Sequence, residues 1–135
     1  MERADHRVAK DEVRVTVPAR PEFVHVLRGV VGAVAGRLPL TLDGVDDLRL
    51  AVDEAAAKLL SFPGHPSALR LDVRPMPGRL EAVVAADITS TWPPDGFEET
   101  LSWKVLQALT ESVRLELWNG VPAIRIVKRT LGNGR

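Results

Sequence analysis

Polar and apolar residues alternate over residues 12–17, and the valines of this run share one face. A period of two predicts a β-strand, which the prolines at 18 and 21 end. From residue 23 to residue 38 the apolar positions recur at helical spacing, which predicts an amphipathic helix of about five turns. The apolar residues of that helix are Phe23, Val26, Leu27, Val30, Val31, Val34 and Leu38.

A second helical pattern begins after residue 40, where either Thr41 or Asp43 can cap the first turn. Asp46 and Asp47 follow near that end, where the helix dipole favours negative charge. The pair Pro63-Gly64 ends the pattern. Its predicted buried stripe consists of Val45, Leu48, Val52, Ala55, Ala56 and Leu59.

A hairpin is predicted after the second helix. Residues 69–73 alternate between apolar and polar side chains, and a turn rich in Pro and Gly follows at 75–78. Residues 80–86 supply the answering strand, which makes the pair antiparallel. Residues 88–96 contain adjacent prolines and are predicted to form a loop.

A third helix and a second hairpin complete the chain. The apolar positions that mark the helix are Leu101, Val105, Leu106, Leu109 and Val113. Strands at 114–118 and 123–128 meet at Asn119-Gly120, a dipeptide typical of tight hairpin turns. The element order predicts an α+β fold, a two-layer α/β sandwich with three helices on one face of a mixed, largely antiparallel sheet.

The size and charge of the chain fit one domain and argue against several classes of protein. Its 135 residues are 45% hydrophobic, so we predict one domain at 11–130 with flexible tails at 1–10 and 131–135. Its 18 basic and 18 acidic residues balance, which argues against direct nucleic-acid binding. No apolar run approaches the roughly 20 residues of a membrane span, and no signal peptide is recognisable, so a cytoplasmic protein is expected.

No metal site is predicted from the ligand-forming residues. Cysteine is absent, which excludes disulfides and thiolate ligands. The three histidines, His6, His25 and His65, are scattered without the spacing of metal ligands.

The predicted second helix carries the most informative motif. With the order of elements, it resembles the Bergerat or GHKL ATPase fold of histidine kinases and gyrase, and within that fold the RsbW/SpoIIAB anti-sigma factors. The resemblance covers about residues 13–129, nearly the whole chain. The runs that carry it are Pro18-Ala19-Arg20-Pro21-Glu22, Arg28 on the first helix, and Asp47-Leu48-Arg49-Leu50-Ala51-Val52-Asp53-Glu54-Ala55.

Two runs are similar to the actinobacterial UsfX-type branch of this family. They are Leu-Arg-Leu-Ala-Val-Asp-Glu at 48–54 and Ser-Trp-Lys-Val-Leu-Gln-Ala-Leu at 102–109. The resemblance implies an anti-sigma factor that holds an alternative sigma factor away from RNA polymerase in transcription regulation and stress response. It also implies a STAS-type anti-anti-sigma antagonist, a homodimer, and Arg20 and Arg28 as partner-binding residues.

The resemblance further implies an ATP site whose metal-binding position is altered. Intact members of the family have a catalytic carboxylate, matched here by Glu54, and one helical turn later an amide whose oxygen ligates Mg²⁺. This chain has Lys58 at that second position. An ammonium group cannot ligate a cation and repels one nearby.

The phosphate-binding positions are altered as well. Asp87 matches the aspartate that reads adenine, but Thr89 follows where the family has glycine. Thr100 and Ser102 stand at two glycines that open the third helix. Their hydroxyls can cap that helix, but their side chains occupy space that a phosphate needs. The implied nucleotide pocket of Asp87, Lys58, Thr100 and Ser102 is therefore degenerate.

Other interpretations of these residues stay open. Lys58 can contact a phosphate directly as a point charge. Glu54 can be a solvated carboxylate paired with Lys58 four residues later. Asp87 can be a turn residue. Arg28 can be a solvated helix residue.

The tryptophans near the implied pocket also have two interpretations. Trp103 can pack in the core or cover the pocket, and its large apolar area favours the core. Trp92 lies among prolines in the implied lid and can cover the site or contact a partner. We expect side chains to fill the groove partly, with Lys58 reaching towards Glu54 or Asp87.

These observations favour an anti-sigma factor with a degenerate ATP site. No cofactor is expected, although ATP and Mg²⁺ stay possible by the resemblance. The alternative is an active ATP-dependent serine protein kinase of the anti-sigma type that phosphorylates the antagonist. Glu54 is the catalytic residue if the chain has such activity, so its enzymatic status stays open.

Overall fold

The computed structural model describes residues 11–131, which form a five-stranded sheet with three helices. The predicted α+β sandwich is confirmed. The strands are β1 (Val13–Pro18), β2 (Ala68–Met76), β3 (Arg79–Ala86), β4 (Ser112–Trp118) and β5 (Val121–Arg129). The helices are α1 (Val24–Ala35), α2 (Leu42–Leu60) and α3 (Leu101–Leu109). The tail predicted at 1–10 and residues 132–135 lie outside the described part.

The strands are ordered β1-β2-β3-β5-β4, and every neighbouring pair is antiparallel. This confirms the largely antiparallel sheet, and no parallel pair occurs among the described strands. Both predicted hairpins form. Gly78 turns the first with a φ of +76°, and Asn119 and Gly120 turn the second with φ values of 53° and 80°. Gly and Asn tolerate this left-handed backbone at the lowest cost, which explains their places in the sequence.

Helix α2 lies at the centre of the helical layer, against β3 and β5 and between α1 and α3. Thr41 caps it by accepting a hydrogen bond from the Gly44 N–H at 2.9 Å. The predicted stripe is fully buried at Leu48, Val52, Ala55, Ala56 and Leu59, and Val45 is partly buried against the same core. None of the helices in the described part is long and apolar enough to cross a bilayer.

Helix α1 is shorter than predicted. A 3-10 turn at Pro21–Phe23 precedes it, and the helix itself has 12 residues and ends at Ala35. The Leu38 N–H then bonds to the Ala35 carbonyl at 3.0 Å, a tighter turn than an α-helix makes. Because Leu38 still packs against the core from that turn, its spacing extended the apparent helical pattern.

Helix α3 is also shorter than its pattern predicted. It ends at Leu109, and the extended backbone of Thr110 leads into β4. Val113, predicted as a helix residue, is a buried residue of β4. Leu101 was predicted on the apolar stripe, but its position at the first turn leaves it 76% exposed.

The sheet face opposite the helices carries buried charges. Asp72 is fully buried and accepts hydrogen bonds from Arg14 Nε at 3.0 Å and from the Trp118 indole at 2.9 Å. Arg74 and Glu81 form a second buried pair at 3.1 Å. A buried charge without a partner would be strongly destabilising, so these contacts make the face a paired network.

Candidate functional site

Lys58 lies near the C-terminal end of α2 with its amine over two aromatic rings. The Nζ atom is 5.4 Å from the ring centre of Phe97 and 5.8 Å from that of Phe62. A cation at this distance is attracted by the negative face of a ring. Among the described residues no ion pair joins Lys58 to Glu54 or Asp87, so the predicted direction of its side chain is wrong. Phe62 is only four positions after Lys58, within the reach of a sequence pattern, whereas Phe97 is 39 positions away and is not.

Four aromatic side chains pack beside Lys58 and form what we call the aromatic cluster: Phe62, Trp92, Phe97 and Trp103. Neighbouring ring centres are 5.6–6.1 Å apart, mostly edge to face. Trp103 is 8% exposed, which confirms the core interpretation. Trp92 is half-buried and donates its indole N–H to the Glu116 carbonyl at 3.0 Å. These side chains fill part of the space between α2 and the start of α3.

Asp87 follows β3, and its carboxylate accepts hydrogen bonds from residues at the start of β2. Its Oδ1 accepts from the N–H groups of Ser67 at 2.8 Å and Ala68 at 3.1 Å, and its Oδ2 accepts from the Ser67 hydroxyl at 2.5 Å. Burial acts to raise the pKa of Asp87, but these hydrogen bonds to the charged form outweigh it and lower the pKa below its usual value. These hydrogen bonds agree with the interpretation of Asp87 as a turn residue. None of them tests whether Asp87 also binds adenine.

The Asp87 contacts predict an acid-sensitive contribution to stability. A pKa lowered by folding gives stability that is complete above the unfolded-state pKa and is lost as pH falls through the folded-state pKa. At pH 7 we expect the unfolding free energy of the wild type to be larger than that of Asp87→Asn. This gap between the two unfolding free energies should close as the pH falls below about 4. Urea denaturation across this range measures the gap. Asp95→Asn is the control, and an Asp87→Asn gap independent of pH would contradict the assignment.

Thr100 caps α3, as its hydroxyl was predicted to do. The Thr100 hydroxyl accepts from the Trp103 N–H at 3.2 Å and donates to the Phe97 carbonyl at 2.6 Å. Ser102 lies in the first turn and makes no side-chain hydrogen bond with a described residue. The hydroxyl that a phosphate would meet at Thr100 is therefore already engaged by the chain itself, both as donor and as acceptor.

The cap predicts unequal effects for two similar substitutions. Thr100→Ala is expected to lower the unfolding free energy by about 1 kcal/mol, the usual loss for a threonine cap. Ser102→Ala is the matched control and should change it by less than about 0.5 kcal/mol. Equal losses in chemical denaturation would show that the Thr100 hydroxyl does not cap the helix.

The residues present do not fit a magnesium-bound triphosphate. Lys58 places an amine where the metal needs an oxygen ligand, and Glu54 makes no hydrogen bond or ion pair with a described residue. The Thr89 hydroxyl packs on the turn after α2, where a side chain at Gly64 would lie 2.9 Å from it. Within residues 11–131 no group of three or more His, Asp or Glu side chains is placed to hold a metal ion.

A second candidate surface lies between α1 and the C-terminal half of α2. Arg28 Nη1 donates to Asp53 Oδ2 at 2.9 Å, while Asp53 Oδ1 is buried and has no hydrogen-bond partner in the described part. The pair lies in a groove of about 470 Å³, which we call the α1–α2 groove. Its lining is Pro21, Val24, His25, Arg28, Asp53, Ala57, Leu60 and Ser61.

Arg20, the other predicted partner-binding residue, directly precedes Pro21 of the groove lining. Its guanidinium is 5.0 Å from the ring centre of Phe23 and 3.7 Å from the Glu22 carboxylate, and it is well exposed. Asp53 was not predicted as a site residue. The sequence around Asp53 does not predict its ion pair with Arg28, because a pair between two helices depends on how the helices pack.

The three helices and the five-stranded antiparallel sheet define a histidine-kinase-like ATPase fold. No family model matches the chain. It is 38% identical over 104 residues to the anti-sigma-F factor RsbW of two Mycobacterium tuberculosis strains, covering 76% of this chain and 60% of the relative. It is 32% identical over 92 residues to the serine-protein kinase RsbW of Halalkalibacterium halodurans, covering 67% and 56%.

These similarities place the chain in the RsbW family of anti-sigma factors, which confirms the resemblance at the level of the family. The chain spans about 60% of the length of the mycobacterial relatives. A third relative, the serine-protein kinase RsbW of Bacillus subtilis, is 42% identical over 45 residues, or 33% of this chain and 28% of its own length. The narrower UsfX-type assignment stays a prediction.

Proposed function

We propose that this protein is an anti-sigma factor that sequesters an alternative sigma factor by binding it, without phosphate chemistry. The observation that carries the proposal is the amine of Lys58 over Phe62 and Phe97, at the position where a kinase needs a metal-binding amide. The name of the mycobacterial relatives, anti-sigma-F factor, supports the class of partner. No cofactor is needed for this function.

The α1–α2 groove is the proposed contact surface for the sigma factor. Its apolar walls can bury an apolar anchor, and Arg28 offers a planar cation for a carboxylate. The ion pair with Asp53 holds that guanidinium at the edge of the groove before a partner arrives. Arg20 extends the positive surface beside it.

Competition for this surface would release the sigma factor. We infer a STAS-type anti-anti-sigma protein as the competitor, in line with the family. The homodimer, the cytoplasmic location and the role in stress response belong to the same proposal. Affinity would then depend on a few anchors rather than on the total contact area.

The second candidate is the serine kinase that phosphorylates the antagonist. It is favoured by the name of the Halalkalibacterium halodurans relative and by the presence of Glu54 and Asp87. It requires ATP and Mg²⁺, and the residues around Lys58 do not fit that pair. The kinase therefore ranks below the binding protein.

Transcription in a purified system tests the proposed function. The chain is expected to inhibit RNA polymerase carrying the alternative sigma factor at about one chain per sigma factor, since occlusion is stoichiometric. Polymerase carrying the housekeeping sigma factor is the control and should be unaffected. Failure to inhibit any alternative sigma factor of its own organism would reject the proposal.

A further inference from the structure

Strand β4 has an open edge in the described part of the chain, because it pairs with β5 on one side only. The Glu111 N–H bonds to the Val127 carbonyl, so the backbone groups of Val127 face β4, where Val127 pairs with Ser112. Along an antiparallel strand the polar backbone groups alternate between the two sides. The N–H and C=O groups of Ser112 and Arg114 therefore face β5, and those of Val113 and Leu115 face outward.

A cavity of about 530 Å³ adjoins this free part of the edge. It lies between the segment 93–99, Trp103 of α3 and residues 113–115 of β4. This volume is within the usual range for protein ligand sites. Its lining is Pro93, Pro94, Asp95, Gly96, Phe97, Glu98, Glu99, Trp103, Val113, Arg114 and Leu115.

The charge of the cavity is strongly one-sided. Asp95, Glu98 and Glu99 are exposed and make no hydrogen bond or ion pair with a described side chain. Arg114 is the one basic residue of the lining, but alternation along β4 places its side chain on the face opposite the helices. The carboxylates are therefore left without a neutralising group inside the cavity.

We propose that this edge and cavity bind an extended, arginine-bearing segment of a partner protein. The segment adds to the sheet by bonding to the outward groups of Val113 and Leu115, the mode known as strand addition. An arginine then enters the cavity, where the carboxylates of Glu98 and Glu99 accept its planar donors. Arginine suits the site better than lysine because its guanidinium also stacks on aromatic walls, here Phe97 and Trp103.

Synthetic peptides test the site without any sigma factor, so the result is independent of the proposed function. The probe is a short peptide of alternating arginine and valine, and the control replaces each arginine with glutamate. We expect the arginine peptide to bind at least about tenfold more tightly, with affinity falling as salt rises. Hydrogen exchange should show new protection at the amide of Leu115. Equal affinities, or protection confined to β1, would overturn the proposal.

Two matched variants separate the backbone and charge contributions. Leu115→Pro removes one outward N–H while leaving the bonds to β5, and proline is tolerated at such edge positions. It should weaken the peptide about tenfold, whereas Leu115→Ala keeps the N–H and should not weaken it. Glu98→Lys with Glu99→Lys should abolish the preference for arginine, and Asp43→Lys with Asp46→Lys on α2 is the control.

The charge variant keeps the test decisive if Leu115→Pro fails to fold. Glu98 and Glu99 are exposed, so their replacement leaves the core intact, which a thermal melt can verify. Retention of the arginine preference in that folded variant would contradict the assignment of the cavity.

Discussion

Replacing Arg28 with alanine is expected to weaken binding of the sigma factor by about 30-fold, the effect of losing an interface hot spot of about 2 kcal/mol. The guanidinium is held at the α1–α2 groove by Asp53 at 2.9 Å, so little ordering is needed when a partner carboxylate arrives. Titration calorimetry with the purified sigma factor measures the change. Arg28→Lys should recover only part of the affinity, because an ammonium lacks the planar pair of donors.

Two controls distinguish a contact from a folding defect. Arg37→Ala removes an exposed arginine just beyond α1 and should leave the affinity unchanged. Thermal unfolding of Arg28→Ala should show a loss below about 1 kcal/mol, since the pair with Asp53 is partly exposed and screened. An unchanged affinity in Arg28→Ala would remove this groove from the interface.

Replacing Trp103 with alanine is expected to lower the unfolding free energy by about 3–5 kcal/mol, as for other buried tryptophans. Trp103 is 8% exposed and packs edge to face with Phe97 at 6.0 Å, so its loss leaves a cavity beneath the aromatic cluster. Far-ultraviolet circular dichroism in urea measures the loss without relying on tryptophan fluorescence.

Leu101→Ala is the matched control for that substitution on the same helix. Leu101 is 76% exposed, so the change should stay within about 0.5 kcal/mol. The loss of unfolding free energy in Trp92→Ala should lie between those of Trp103→Ala and Leu101→Ala, because the indole is half-buried and makes one hydrogen bond to Glu116. A small loss in Trp103→Ala would mean that the cluster does not support the fold.

Local rules in the sequence predicted much of the fold. Thr41 begins α2 because its hydroxyl satisfies a free N–H, and Asn119-Gly120 turns the second hairpin because both residues tolerate a positive φ. The buried stripe of α2 follows from the helical period alone. These features depend on neighbours within a few positions, which is the range that a pattern can read.

The predicted ends of two helices were wrong where an apolar residue packs in the core from outside the helix. Leu38 packs from a turn and Val113 packs from a strand, yet both continue a helical spacing. The direction of Lys58 was missed because its amine lies over Phe62, four residues on, and over Phe97, 39 residues on, and only the first is within the range of a local pattern. The pair of Arg28 with Asp53 likewise depends on how α1 packs on α2.

The proposed function implies a fold that keeps its shape without phosphate chemistry. Lys58 and the aromatic cluster occupy space beside α2, and Thr100 and Asp87 use their polar atoms to hold the chain together. Each of these contacts stabilises the protein without a ligand. A binding surface on α1 and α2 can therefore stay ordered when no nucleotide is present.

Calorimetric titration of the purified chain with its sigma factor, once in EDTA without nucleotide and once in Mg-ATP, tests this account most directly. We predict tight binding in both, with Kd values that agree within about threefold. Binding that appears only with Mg-ATP would contradict it, because the site would then still depend on the nucleotide.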